Sequence, residues 1–170
     1  MVKFLKVLKA SATVGTVTRR YPFESSLVTS EFRGLIEIDP VKCVGCGACV
    51  RICPPKALTI EVNEKETILK YFIGRCIFCW MCVQTCPQKA IKTTNKFELS
   101  VFNLKDVMRE LVFRTVTCKV CGRAFTPVKL VVEINKRVGD LYMHTDIYVC
   151  PDCRQALTAR RLLTKYLGRG

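Results

Sequence analysis

The sequence has few of the residues that usually carry out catalysis. Its only histidine is His144, which we place in a surface loop rather than at a metal. The chain contains no Gly-x-Gly-x-x-Gly run after a strand, no P-loop and no Ser/His/Asp set. These absences exclude the common nucleotide-binding enzymes and triad hydrolases. We therefore expect any reaction to be completed on another protein.

Long apolar runs and acidic residues are also scarce. No stretch approaches the roughly 18 to 20 consecutive apolar residues that cross a membrane, and residues 1–10 lack a signal-peptide cleavage site. The chain has 28 Lys and Arg against 14 Asp and Glu, a formal net charge of +14. Such a charge suits nucleic acid, an anionic membrane surface or an acidic protein partner.

Cysteine, by contrast, is abundant, and eight of the twelve cysteines lie in two copies of one run. Each copy reads Cys-x2-Cys-x2-Cys-x3-Cys-Pro, beginning at Cys43 and at Cys76, and equivalent positions are 33 residues apart. This run is the bacterial signature for 4Fe–4S clusters, in which the fourth cysteine ligates the other cluster. The sequence therefore predicts two clusters shared between the two halves of a duplicated module.

Crossing the fourth ligands assigns four cysteines to each cluster. The first set is Cys43, Cys46, Cys49 and Cys86, and the second is Cys76, Cys79, Cys82 and Cys53. The alternatives are a pair of zinc sites or disulfides. Four-cysteine zinc sites usually pair two Cys-x2-Cys motifs instead, and thiols without a secretion signal indicate a reducing cytoplasm.

The other four cysteines predict a third metal site. Cys118 with Cys121, and Cys150 with Cys153, form two Cys-x2-Cys motifs typical of a zinc ribbon or a rubredoxin. Four sulfur ligands bind zinc or iron. We favour zinc because Arg154, rather than glycine, follows Cys153. A redox role for the two Cys-x2-Cys pairs is the weaker alternative.

The fold class predicted is α+β, a ferredoxin-like domain with an N-terminal arm and a C-terminal ribbon. The expected domains are an amphipathic helix and arm over 1–33, the ferredoxin over 34–94, a linker strand and helix over 95–113, and the ribbon with a basic helix over 114–170.

Periodicity and turn signals predict the following elements: a helix over 2–10, an extended arm over 11–33, a strand over 34–39, a hairpin of 57–62 and 67–72, short helices from near Cys49 and Cys82, an extended segment over 97–102, a helix over 104–113 capped by Asn103, and a helix or hairpin over 128–137.

With these motifs, the chain resembles the iron–sulfur subunit of formate hydrogenlyase complexes. That family belongs with the ferredoxin-like subunits of membrane-bound group 4 nickel–iron hydrogenases and the two-cluster subunit of respiratory complex I. The C-terminal cysteine pairs favour the formate hydrogenlyase branch, because many complex I relatives lack them. The resemblance is carried by the two cluster runs, Tyr21-Pro22-Phe23-Glu24, Phe32-Arg33-Gly34, Cys76-Ile77-Phe78-Cys79, Phe97-Glu98-Leu99 and the C-terminal cysteine pairs.

The resemblance implies a subunit that relays single electrons. The donor would be a formate dehydrogenase or a ferredoxin, and the acceptor the cluster of the hydrogenase small subunit. The other expected partners are the hydrogenase large subunit and the membrane-arm subunits, with this chain peripheral on the inner face of the cell membrane. The same relay in a complex I-like quinone reductase is an alternative. A nucleic-acid-binding iron–sulfur protein is a weaker one, since the sequence has no aromatic–basic stripe.

One position departs from the pattern. Trp80-Met81 stands where the first run has Gly47-Ala48. We expect the tryptophan to shield the second cluster from water or to contact a partner. Exclusion of water tends to lower a cluster's reduction potential, so low-potential clusters are predicted.

Overall fold

The computed structural model describes residues 2–15, 18, 20–24, 26, 28–138 and 147–167. His144 lies outside the described residues. The chain divides into two units, Met1–Phe32 and Arg33–Gly170. None of the helices described is both long enough and apolar enough to cross a membrane.

The described residues of the first unit form one helix, α1, over Val2–Val14. The predicted N-terminal helix is therefore confirmed, but it runs four residues further than expected, into the segment predicted to be extended. Residues 11–13 include no proline or glycine that would end the helix. The Thr13 hydroxyl also donates to the Lys9 carbonyl at 2.9 Å. Leu5 and Leu8 are exposed.

The residues of the second unit that the structure describes form two antiparallel sheets. Strands β1 (Ile36–Ile38) and β4 (Ile91–Thr93) form a two-stranded sheet in which Ile38 is opposite Ile91. The larger sheet has the order β2-β3-β5-β6, with bounds Leu58–Val62, Glu66–Phe72, Met108–Thr117 and Ala124–Pro127. The predicted hairpin is β2 and β3, and the predicted first strand is β1.

The hydrophobic core lies on one face of this larger sheet. Thr67, Leu69 and Tyr71 are buried at alternate positions of β3, as expected of a strand with one face on a core. Short helices α2 (Ala48–Ile52) and α3 (Met81–Thr85) follow the cysteine loops as predicted. Each contributes one buried cysteine, Cys49 or Cys82, to the same core.

The predicted helix over 104–113 is wrong. Asn103 does cap a helical turn, since its side chain accepts from the Lys105 N–H at 3.0 Å, but this 3-10 turn ends at Val107. The chain then becomes β5, which pairs with β3 along all seven positions of that strand. Without β5, the hairpin would leave one edge of β3 unpaired. Pairing at that edge buries Phe113, so tertiary contacts override local helix propensity.

One further segment differs from its prediction, and another settles a choice that the sequence left open. Residues 97–102 form no strand but run irregularly. The segment predicted as helix or hairpin is helix α4, Val128–Val138. The C-terminal helix α5 covers Pro151–Leu167, and most of its side chains are exposed.

Candidate metal centres

The first cysteine loop and the end of α3 surround one cavity. Cys43, Cys46, Cys49 and Cys86 line it. Gly45 and Gly47 have left-handed backbones, with φ of 69° and 72°. Glycine adopts this conformation without a steric penalty, which lets the loop curl so that three cysteines face the same space.

The second cysteine loop surrounds an equivalent cavity. Cys53, Cys76, Cys79 and Cys82 line it. Phe78 and Trp80 have left-handed backbones at the positions equivalent to Gly45 and Gly47, with φ of 53° and 60°. The duplication is therefore visible in the backbone conformation as well as in the cysteine spacing.

Each cavity takes one cysteine from the opposite half of the module. Cys53 belongs to the first run but lines the second cavity, and Cys86 belongs to the second run but lines the first. All twelve cysteines lie in the described part of the chain, and none of them forms a disulfide. The assignment of the eight cysteines as cluster ligands remains a prediction.

The third site is smaller. The Sγ atoms of Cys118, Cys121, Cys150 and Cys153 all lie within 4.8 Å of one another. The Cys121 and Cys150 sulfurs are 3.7 Å apart, close to the roughly 3.8 Å edge of a tetrahedron with metal–sulfur bonds of about 2.3 Å. Among the described residues, only this set is grouped tightly enough to share one ion.

Three thiols of the ferredoxin cavities, Cys43, Cys49 and Cys82, are poorly stabilised as anions by the protein alone. Burial, reinforced by neighbouring cysteines, raises the pKa of Cys49 to about 12 and that of Cys82 to about 11. Burial also raises the pKa of Cys43. Thiolates in these positions require a bound cationic centre, which is what iron in a cluster supplies.

Cys118 at the third site behaves differently. Burial opposes its ionisation, but the backbone N–H groups of Cys150, Cys121 and Val120 outweigh burial and lower its pKa to about 6. The N–H groups of Cys150 and Val120 lie 3.3 and 3.4 Å from its sulfur. The backbone therefore prepares this thiolate for a single ion.

Trp80 forms part of the wall of the second cavity. Its indole N–H donates to the Gly34 carbonyl at 3.3 Å, and the Arg33 guanidinium lies 5.5 Å from the ring centroid. The side chain is held in place and half-buried. This position agrees with the expected shielding of the second site from water.

The C-terminal segment packs on the first cysteine loop. The Lys129 ammonium donates to the Pro40 carbonyl at 2.9 Å, and Arg137 donates to the Gln88 side-chain oxygen at 3.1 Å. A Cβ at Gly45 would lie 2.9 Å from Pro127 Cγ. Sequence reasoning missed this cover, because nothing local links residues 127–137 to the first loop.

Sequence reasoning also missed Tyr71. This residue is 2% exposed, lines the second cavity, and is an aromatic residue within the alternating pattern of β3. The available signal was the 33-residue offset between the two halves. It aligns Tyr71 with Ile38, so a polar side chain stands in one half where the other has an aliphatic one.

Comparisons with known proteins agree with this geometry. Residues 42–90 match the family model described as a 4Fe-4S dicluster domain. Formate hydrogenlyase subunit 6 of Escherichia coli (strain K12) is 40% identical over 156 residues, 87% of each chain. The chloroplastic NAD(P)H-quinone oxidoreductase subunit I of Calycanthus floridus var. glaucus is 43% identical over 94 residues, 51% of this chain and 52% of that protein.

Among solved structures, a chain of the membrane-bound sulfane sulfur reductase, an archaeal respiratory membrane complex, aligns with a TM-score of 0.44. The identity is 23%, over 85% of this chain and 73% of that one.

The matched domain and the cysteine-lined cavities define an iron–sulfur protein of the ferredoxin class. Within that class, the identity over nearly the full length shows that the chain belongs to the family of formate hydrogenlyase subunit 6. The predicted resemblance is confirmed.

The packing at the first loop predicts different tolerances at its two glycines. Gly47→Ala places a Cβ in open space, so it should cost only the left-handed strain, roughly 1–2 kcal/mol. Gly45→Ala adds the clash with Pro127 and should cost about 1–3 kcal/mol more. Thermal unfolding of the two anaerobically purified variants measures the difference, and equal melting temperatures would contradict the described packing.

Proposed function

We propose that the protein is an electron-transfer subunit that relays single electrons through two 4Fe–4S clusters. The acceptor is the hydrogenase small subunit of a membrane-bound formate hydrogenlyase or related group 4 hydrogenase complex. The observation that carries the proposal is the pair of similar cavities, each lined by four cysteines from both halves. Clusters held in this way are one-electron centres.

The chain's own residues hold and shield the clusters. Cys43, Cys46, Cys49 and Cys86 would bind the first, and Cys53, Cys76, Cys79 and Cys82 the second. Apolar side chains complete both walls, including Ile38 and Ile91 around the first and Leu58 and Trp80 around the second. Low local polarity and restricted water access favour low potentials, which suits a chain that delivers electrons for proton reduction.

Several surface features support a place within a larger complex. Ile77 and Met81, on the second cysteine loop, are 61% and 38% exposed. Apolar side chains beside a redox centre suit contact with another protein. We infer that the partners are the hydrogenase small and large subunits, the membrane-arm subunits, and a formate dehydrogenase or ferredoxin as donor. The chain would lie peripherally on the inner face of the membrane.

The relatives also include the subunit I proteins of quinone oxidoreductases, which makes a complex I-like reductase the second candidate. Those matches cover about half of this chain, whereas the match to formate hydrogenlyase subunit 6 covers 87%. The longer match extends well beyond the ferredoxin module. This difference in coverage favours the hydrogenase complex.

For the third site we propose zinc. Cys153 lies in the first turn of α5, and the Arg154 N–H donates to the Cys150 carbonyl at 2.9 Å, so the second cysteine pair runs into a helix. A rubredoxin site would be expected to have a glycine-containing turn after each pair, as Cys121 and Gly122 form here. The helical second pair is typical of structural zinc.

Crossed ligation makes a specific prediction about cysteine variants. Cys86→Ala should remove or convert the same cluster as Cys49→Ala, although Cys86 is closer in sequence to Cys82. Cys53→Ala should reproduce the effect of Cys82→Ala. Iron analysis, from about eight irons per wild-type chain, and the electron paramagnetic resonance (EPR) spectra of the reduced variants identify the pairs. Spectra that pair Cys86 with Cys82 would refute the crossing.

Elemental analysis tests the metal at the third site. Wild-type protein should contain about one zinc per chain, and Cys121→Ala should lose it while keeping its cluster iron. The matched control is Val120→Ala, which changes an exposed side chain in the same turn and should retain zinc. An additional iron with rubredoxin-like absorption, in place of zinc, would overturn the assignment.

The role in the complex is tested in cells that express the chain with its neighbouring subunits. The protein should co-purify with a nickel–iron subunit, and Cys49→Ala should reduce formate-dependent hydrogen evolution more than tenfold by breaking the relay. Val41→Ala, an exposed substitution near the same loop, is the control. Undiminished hydrogen evolution in Cys49→Ala would contradict the proposed function, and co-purification with a quinone-binding subunit instead would favour the second candidate.

A further inference from the structure

The hydroxyl of Tyr71 is a buried polar group without a partner. Tyr71 is 2% exposed, and its Oη makes no hydrogen bond within the described part of the chain. Leaving a buried donor unsatisfied costs roughly 1–3 kcal/mol, and buried polar groups in proteins are nearly always paired. The hydroxyl therefore requires an acceptor at the cavity that Tyr71 lines.

The surroundings of the hydroxyl indicate what that partner is. Tyr71 lines the cavity formed by Cys53, Cys76, Cys79 and Cys82. A phenol is protonated at neutral pH, and a thiolate sulfur offers lone pairs but no proton. The cavity therefore presents the Tyr71 hydroxyl with sulfur acceptors, and the hydroxyl can act as a donor at this site.

The duplication provides an internal comparison. The position 33 residues earlier is Ile38, which lines the first cavity. The two residues occupy equivalent places, on β1 and β3, before their respective cysteine loops. One cavity therefore has an aliphatic side chain where the other has a phenol, so the two sites differ in one hydrogen-bond donor at this position.

We propose that Tyr71 donates a hydrogen bond to a cysteine thiolate of this cavity when the second cluster is bound, and thereby raises the reduction potential of that cluster. The inference rests on the proposed two-cluster function. Reduction adds one negative charge to the cluster and its thiolates, and a donor to sulfur stabilises that charge more in the reduced state than in the oxidised state.

The donor has a consequence for the relay. Ile38 leaves the first cavity without a phenol, so the Tyr71 donor raises the potential of the second cluster relative to the first and offsets the lowering expected from the shielding by Trp80. An electron that enters the pair is therefore held on the second cluster more than it would be without this hydroxyl. Its loop is the one that carries the exposed apolar residues Ile77 and Met81.

Tyr71→Phe tests this in the purified holoprotein, because it removes only the hydroxyl. In an EPR-monitored redox titration, the midpoint potential of the second cluster should fall while that of the first stays fixed. At the wild-type midpoint, the ratio of reduced to oxidised second cluster should drop several-fold, and a tenfold drop would correspond to about 59 mV. The signal of the second cluster is identified through its alteration in Cys76→Ser. Tyr166→Phe, which removes an exposed phenol on α5, should change neither midpoint.

The outcomes separate the inference from the proposed function. Two clusters with unchanged midpoints in Tyr71→Phe would overturn the inference and leave the relay intact. A wild-type protein without two reducible clusters would overturn both. If Tyr71→Phe fails to assemble the second cluster, 3-fluorotyrosine at position 71 decides, because its more acidic hydroxyl is a stronger donor. That variant should raise the midpoint of the second cluster, and an unchanged midpoint would reject the hydrogen bond.

Discussion

The structure depends on the exchange of one cysteine between the two halves of the duplicated module. Cys53 belongs to the first cysteine run but lines the second cavity, and Cys86 belongs to the second run but lines the first cavity. Neither half encloses a complete set of sulfur atoms by itself. Because Cys49 and Cys82 also lie in the shared hydrophobic core, we expect cluster binding and folding of the module to be coupled. The proposed clusters would then replace part of the apolar core that so small a module lacks.

The two sites have the same backbone conformation but differ in the residues that cover them. The first loop keeps glycine at position 45, because Pro127 and Phe113 of the larger sheet lie against it. The second loop carries Phe78 and Trp80 in the same left-handed conformation, and its exposed apolar side chains are free to meet another subunit. The first site is therefore covered by the C-terminal segment of the same chain, whereas the second site has exposed apolar side chains that suit contact with a neighbouring subunit. In the proposed relay, this asymmetry makes the second site the one that is open to a partner subunit.

Much of this organisation could be predicted from local sequence. The cysteine spacing indicated which residues share a site, and alternation predicted the hairpin of β2 and β3. The failures came where distant contacts decide the outcome. Residues 108–113 form a strand because the edge of β3 is available for pairing, and no local pattern shows that edge. The packing of residues 127–137 on the first loop and the burial of the Tyr71 hydroxyl likewise depend on the folded arrangement.

Spin quantification tests the central claim most directly. After full anaerobic reduction, the EPR spectrum of the wild-type protein should integrate to about two spins per chain. The signals should be broadened by magnetic interaction, because both clusters lie within one small module. A spectrum integrating to one spin or fewer in iron-replete protein, or two sharp and mutually independent signals, would contradict the account of a jointly held pair.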